Sequence, residues 1–201
     1  MFTKTPHRLT APIQALIERL VPGGRAEYVA VEARPGAIVN DCYANVDAQV
    51  AELGGSAVHG WAIWEWPCTM LEAEFHAVWR QPDGRHRDVT ARTDYETRVL
   101  FLPDPVRAFS GRQINNVRVP LRDDPLVHEW IGLHDAKFEV LNRGDRINQF
   151  GAVAVDRAEI ESLLLRMMQV GPQLEAAMPA RSGACCCGSG KKFKRCCGAT
   201  A

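Results

Sequence analysis

Seven cysteines punctuate this 201-residue chain, and five of them fall in its last 17 residues. Cys185-Cys186-Cys187 and Cys196-Cys197 flank Gly188-Ser189-Gly190-Lys191-Lys192-Phe193-Lys194-Arg195. A Cys-x-Cys pair, an eight-residue loop and a Cys-Cys pair can present four sulfurs to one tetrahedral ion. The glycines permit the tight turns that make the sulfurs converge. A segment this small has no core of its own, so metal binding has to supply its folding free energy. A disulfide knot and an iron–sulfur site are the competing uses of these thiols. A reducing compartment argues against the knot.

A second set of reactive residue types lies in the body. Cys42 stands at the start of an expected helix, where free N–H groups and the positive end of the helix dipole favour a nucleophilic thiolate. The bland reading is that Cys42 shares an apolar helical face with Val46, Val50 and Leu53 and is a core residue. His76 lies on an expected strand whose residues Leu71, Ala73, Phe75, Ala77 and Trp79 form the dominant apolar row. Alternation puts His76 on the other, more polar face with Glu72, Glu74 and Val78. Asp88 follows a hairpin turn, and an even pairing register sets it on the face of His76. A carboxylate there orients the imidazole toward Cys42, the logic of nucleophile, base and orienter. Asn40, or the backbone N–H of Cys42, is the candidate oxyanion donor. Trp61, Trp64 and Trp66 cluster, and Trp61 and Trp64 are candidates to line a substrate groove, although aromatics this dense usually pack a core.

Two resemblances sharpen these readings. The tail closely resembles the SEC-C motif of the end of the SecA translocase, over about 14 residues from Cys185 to Gly198. The resemblance implies that Cys185, Cys187, Cys196 and Cys197 are zinc ligands, so Zn²⁺ is the expected cofactor. Cys186 stands where that motif usually has proline, which makes a ligand swap with Cys185 or Cys187 conceivable. It also implies docking to a protein or the ribosome, here through Lys191, Lys192, Lys194 and Arg195. The stretch from Cys42 to Thr90, about a quarter of the chain, resembles the core of transglutaminase-like and papain-like thiol enzymes. It carries Asn40-Asp41-Cys42, Glu74-Phe75-His76-Ala77-Val78-Trp79 and Asp88-Val89-Thr90 in the order cysteine, histidine, aspartate. That resemblance implies Cys42, His76 and Asp88 as catalytic residues and a protein or peptide substrate.

Hydrophobic spacing predicts the elements that must hold these groups. Helices are expected over 10–20, 42–53, 124–138 and from a cap at Asp156 to about Met178. Strands are expected at 28–31, 57–66, 70–80, 86–90 and 98–102, with one more before Val119, and Gln81-Pro82-Asp83-Gly84 is a hairpin turn. Helices and antiparallel strands in separate runs predict an α+β fold: a papain/transglutaminase-like core with an N-terminal helix packed on an antiparallel sheet, over 1–178. A linker at 179–183 and the zinc knuckle at 184–201 complete the expected organisation.

Composition sets the outer limits. Apolar residues make up 46% of the chain, enough for a core. The formal net charge is zero, yet from Arg181 onward there are five bases and no acid, so the rest carries 19 bases against 24 acids. A basic tail on an acidic body favours an anionic partner. No apolar run approaches the roughly 18 residues of a membrane span, and the first residues lack a signal peptide's apolar stretch, which points to a cytoplasmic protein with reduced thiols. The leading expectation is a thiol hydrolase or acyl-transfer enzyme with a zinc-binding docking tail. The alternative is a catalytically inactive peptide- or partner-binding adaptor whose only chemistry is zinc binding.

Overall fold

The computed structural model describes residues 3–94, 96–149 and 153–199. It is α+β, with a small closed β-barrel and four α-helices. The chain groups into two compact units. The first comprises Thr3–Trp64 and Ala73–Ser110; the second comprises Glu65–Glu72 and the described residues from Gly111 onward.

In the first unit, α1 (Ala11–Leu20) begins with proline in its first turn and buries Ile13, Leu16 and Ile17, one face at helical spacing. The barrel strands are β1 (Glu27–Val31), β2 (Ser56–Trp66), β3 (Met70–Arg80), β4 (His86–Asp88) and β5 (Arg98–Pro103). They run β2-β5-β1-β4-β3, and β3 pairs back to β2 and closes the ring. The expected antiparallel sheet is therefore modified twice: it is closed, and β1 pairs β4 in parallel, Ala30 with Arg87 and Val31 with Asp88. Closure explains why β3 is buried on both faces. Val29, Ala62, Trp64, Val78, Val99 and Phe101 form one core cluster, while Ala77, Trp79 and Val89 pack with Cys42 and Val46 of α2 (Cys42–Leu53) in another. Gly60 permits the β2–β5 approach, because a Cβ there would lie 2.2 Å from the Leu102 carbonyl oxygen.

In the second unit, α3 (Pro125–Leu141) and α4 (Arg157–Ala176) pack on each other. Asp124 and Asp156 cap them, accepting from Leu126 N and Ala158 N at 2.9 Å. Their core holds Trp66, Met70, Val127, Trp130, Val170 and Leu174. Strand β6 (Val117–Pro120) lies beside the start of β3, where Arg118 pairs with Glu72 at 2.8 Å. The tail folds as a tight hairpin: Cys185 N donates to Lys191 O at 2.9 Å, and a short 3₁₀ turn over Phe193–Arg195 leads into Cys196. Among the described residues no helix is long and apolar enough to cross a membrane.

Candidate functional site

Cys42 is the first residue of α2, 8% exposed. The preceding Asp41 makes no side-chain cap to the first turn. Asn40 holds φ at 62°, a left-handed conformation that asparagine tolerates better than most residues. The loop before the helix is pinned by Asn45, which is 3% exposed. Its Oδ1 accepts from Ile38 N at 2.9 Å and its Nδ2 donates to Ile38 O at 2.7 Å. The expected apolar face of α2 is thus only partly apolar. Leu53 is 55% exposed, and Asn45 and Gln49 take buried positions.

His76 is 4% exposed and stands in the barrel rather than on an open polar face. The β3–β4 register pairs Trp79 with Arg87 and Arg80 with His86, which carries Asp88 to the rung of Val78, on the face of His76. Nε2 of His76 lies 3.1 Å from Oδ2 of Asp88. Asp88 engages Nε2, which leaves Nδ1 as the ring nitrogen not held by the carboxylate, and the Cys42 sulfur is close enough to influence the imidazole's charge. Burial opposes a charge on His76, but the Asp88 carboxylate and the Cys42 sulfur outweigh it and raise the imidazole well above its usual value. Asp88 is fully buried, which by itself disfavours its charge. The imidazole, the Thr90 N–H donating to Oδ1 at 3.0 Å, and Arg92 hold it below the ordinary carboxylate range. Arg92 Nη1 lies 3.9 Å from Asp88 Oδ2, its guanidinium packs 4.4 Å over the Trp64 ring, and it pairs with Asp94.

A cleft of about 110 Å³ opens on this row, lined by Cys42, His76, Asn40, Thr90, Glu74 and the Arg92–Asp94 pair among others. The structure thus brings together Cys42, His76, Asp88 and Asn40. Trp61 and Trp64 are buried, 1% and 4% exposed, with Trp64 packed beneath the Arg92 guanidinium. Trp61 Nε1 donates to Asp104 at 3.1 Å and Trp64 Nε1 to Glu74 at 3.1 Å. Asn45 and Arg92 were not singled out from the sequence, and Thr90 entered only as part of the Asp88-Val89-Thr90 motif, with no role. The available signals were a polar residue three positions after Cys42 and the alternation Asp88-x-Thr90-x-Arg92-x-Asp94.

In the second unit, the sulfurs of Cys185, Cys187, Cys196 and Cys197 all lie within 4.8 Å of one another. Cys187 is 3.5 Å from Cys185 and 3.4 Å from Cys196. Zinc–thiolate bonds of about 2.3 Å in a tetrahedron separate sulfurs by about 3.8 Å. The four thiols therefore fit a metal ion. Phe193 packs among these cysteines, and a Cβ at Gly198 would approach its ring to 2.6 Å. Lys191, Lys192 and Arg195 line an open hollow beside the cluster, and Lys194 is exposed.

Cys186 is not in that cluster. It forms a disulfide with Cys68, with the Cα atoms 5.7 Å apart. This corrects the expectation that every thiol stays reduced and that Cys186 is a rival ligand. The β2–β3 turn, where Cys68 adopts φ of 65°, faces the tail hairpin across 118 residues of sequence. No local spacing encodes that meeting. The polar run from Arg112 to Asn116 is used internally: Asn115 donates to Asp135 and Asn116 to Glu72, both at 2.9 Å.

Comparison of the chain with protein-family models, with curated proteins and with solved structures finds no match.

Proposed function

We propose that the protein is a thiol-dependent hydrolase or acyl-transfer enzyme of transglutaminase- or papain-like design, with a zinc-binding, basic docking tail. The observation that carries this reading is the buried His76–Asp88 pair beside Cys42 at the wall of an open cleft. In this mechanism His76 Nδ1 takes the Cys42 proton, and the thiolate attacks a carbonyl of a protein or peptide substrate. The imidazolium then protonates the leaving amine or alcohol, and water or a second nucleophile releases the acyl group. Asp88 fixes the ring and supports its positive charge. The α2 amides and Asn40 are the oxyanion donors.

Cys185, Cys187, Cys196 and Cys197 would hold Zn²⁺, which supplies folding free energy to the tail hairpin and takes no part in the chemistry at Cys42. Lys191, Lys192, Lys194 and Arg195 would meet an anionic partner surface such as the ribosome.

The test is alkylation by iodoacetamide near neutral pH, read site by site by mass spectrometry. Cys42 is expected to react at least about tenfold faster than a model thiol and to lose that advantage in His76→Ala. A Cys42 as slow in the native chain as in His76→Ala sinks the enzyme reading and leaves the binding adaptor.

A further inference from the structure

Thr90 is 4% exposed, and its hydroxyl oxygen is buried with no hydrogen-bond partner among the described residues. A hydroxyl left unpaired in a folded interior is destabilising, so such groups survive where something else pairs with them. Three observations say where this one acts. Thr90 lines the same cleft as Cys42, His76 and Asn40. Its backbone N–H donates to Asp88 Oδ1 at 3.0 Å, so its position is set by the same carboxylate that holds the imidazole. The charged side chains of the cleft have protein partners: Glu74 accepts from Trp64 Nε1, and Arg92 pairs with Asp94.

We propose that Thr90 is a substrate-binding residue of the Cys42 cleft, its hydroxyl hydrogen-bonding a polar atom of the carbonyl compound that acylates Cys42. The proposal rests on Cys42 being the nucleophile and adds a contact that the triad does not contain. The hydroxyl both donates and accepts, so it suits an ester or amide, whose acyl group carries an acceptor and whose amide form carries a donor. The contact gives a partner to a hydroxyl that has none among the described residues.

p-Nitrophenyl acetate tests the contact on the full-length chain. Cys42 Sγ bonds to the acetyl carbon, the acyl C–O bond breaks, and p-nitrophenolate leaves with the electron pair. The thiol proton passes through His76 to that product or to solvent. The burst of p-nitrophenolate gives the acylation rate. Methyl methanethiosulfonate, which has no carbonyl, gives the reactivity of the same thiol.

In Thr90→Val the ratio of acylation to thiolation is expected to fall at least about tenfold, the scale of one hydrogen bond to the transition state. Thr90→Ser is expected to restore it to within about threefold. The melting temperature of Thr90→Val should equal or exceed that of the native chain, because valine removes an unpaired hydroxyl. If valine prevents folding, Thr90→Ala carries the same expectation for the ratio.

An unchanged ratio in the hydroxyl-free variant overturns the proposal, as does a serine variant no better than valine. A native chain that acylates normally while Thr90→Val matches it overturns Thr90 alone. A native chain that is never acylated at Cys42 overturns the nucleophile reading as well.

Discussion

Asp88 has both oxygens committed: Oδ2 to His76 and Oδ1 to the amide of Thr90, with the Arg92 guanidinium close by. Asn at that position keeps the shape and removes the charge that favours imidazolium. In Asp88→Asn the basic limb of the pH–alkylation profile of Cys42 is therefore expected to move to lower pH by about one unit or more, and the plateau rate to drop at least about tenfold. A limb that stays in place shows that the carboxylate does not support the imidazole's charge. At this scale the sequence was informative about residue types and only partly about their surroundings. The order Cys42, His76, Asp88 and the face of His76 on β3 were readable by counting. That His76 is enclosed was not readable, because alternation names a face without saying what covers it.

The elements explain how groups so far apart in sequence are brought together. The turn at Gln81–Gly84 fixes the β3–β4 register, and a slip of one residue would turn Asp88 away from His76. Helix α2 fixes the thiol, and its entry loop hangs on the two hydrogen bonds of Asn45. Asn45→Ala is expected to lower unfolding free energy by about 1–3 kcal/mol and to slow alkylation of Cys42 in the folded protein. A destabilised variant with native Cys42 reactivity would show that the loop does not position the thiol. The extents of α1, α2 and the β3–β4 hairpin were legible because apolar periodicity, Gly54 and the turn residues agree locally. The parallel β1–β4 pairing and the return of β3 to β2 were not, because strand order is decided by long-range packing.

At the scale of the whole molecule the buried pair links stability to pH. His76 is raised in the folded state, so its contribution is complete below roughly pH 6.5 and fades as pH climbs through the folded value. Asp88 is lowered, so its contribution is present above about pH 4 and is lost as pH falls through its folded value. Urea midpoints should be highest between roughly pH 4 and 6.5 and decline above it, and His76→Gln should lack that decline. Parallel curves for the two proteins would contradict a raised imidazole. The zero net charge of the chain conceals an acidic body and a basic tail, a division visible by counting. The covalent tie between Cys68 and Cys186 was invisible, since seven cysteines give no indication which pair will meet.

That tie has a topological consequence. Residues 68–186 form a covalently closed ring, so one peptide-bond cut inside it severs the backbone without releasing a fragment. Arg107 and Arg112 are exposed within the ring, and trypsin acting there once should leave a nicked chain that migrates whole in non-reducing electrophoresis. Only a thiol reductant should separate its two pieces; two pieces parting without one would mean that the ring is open.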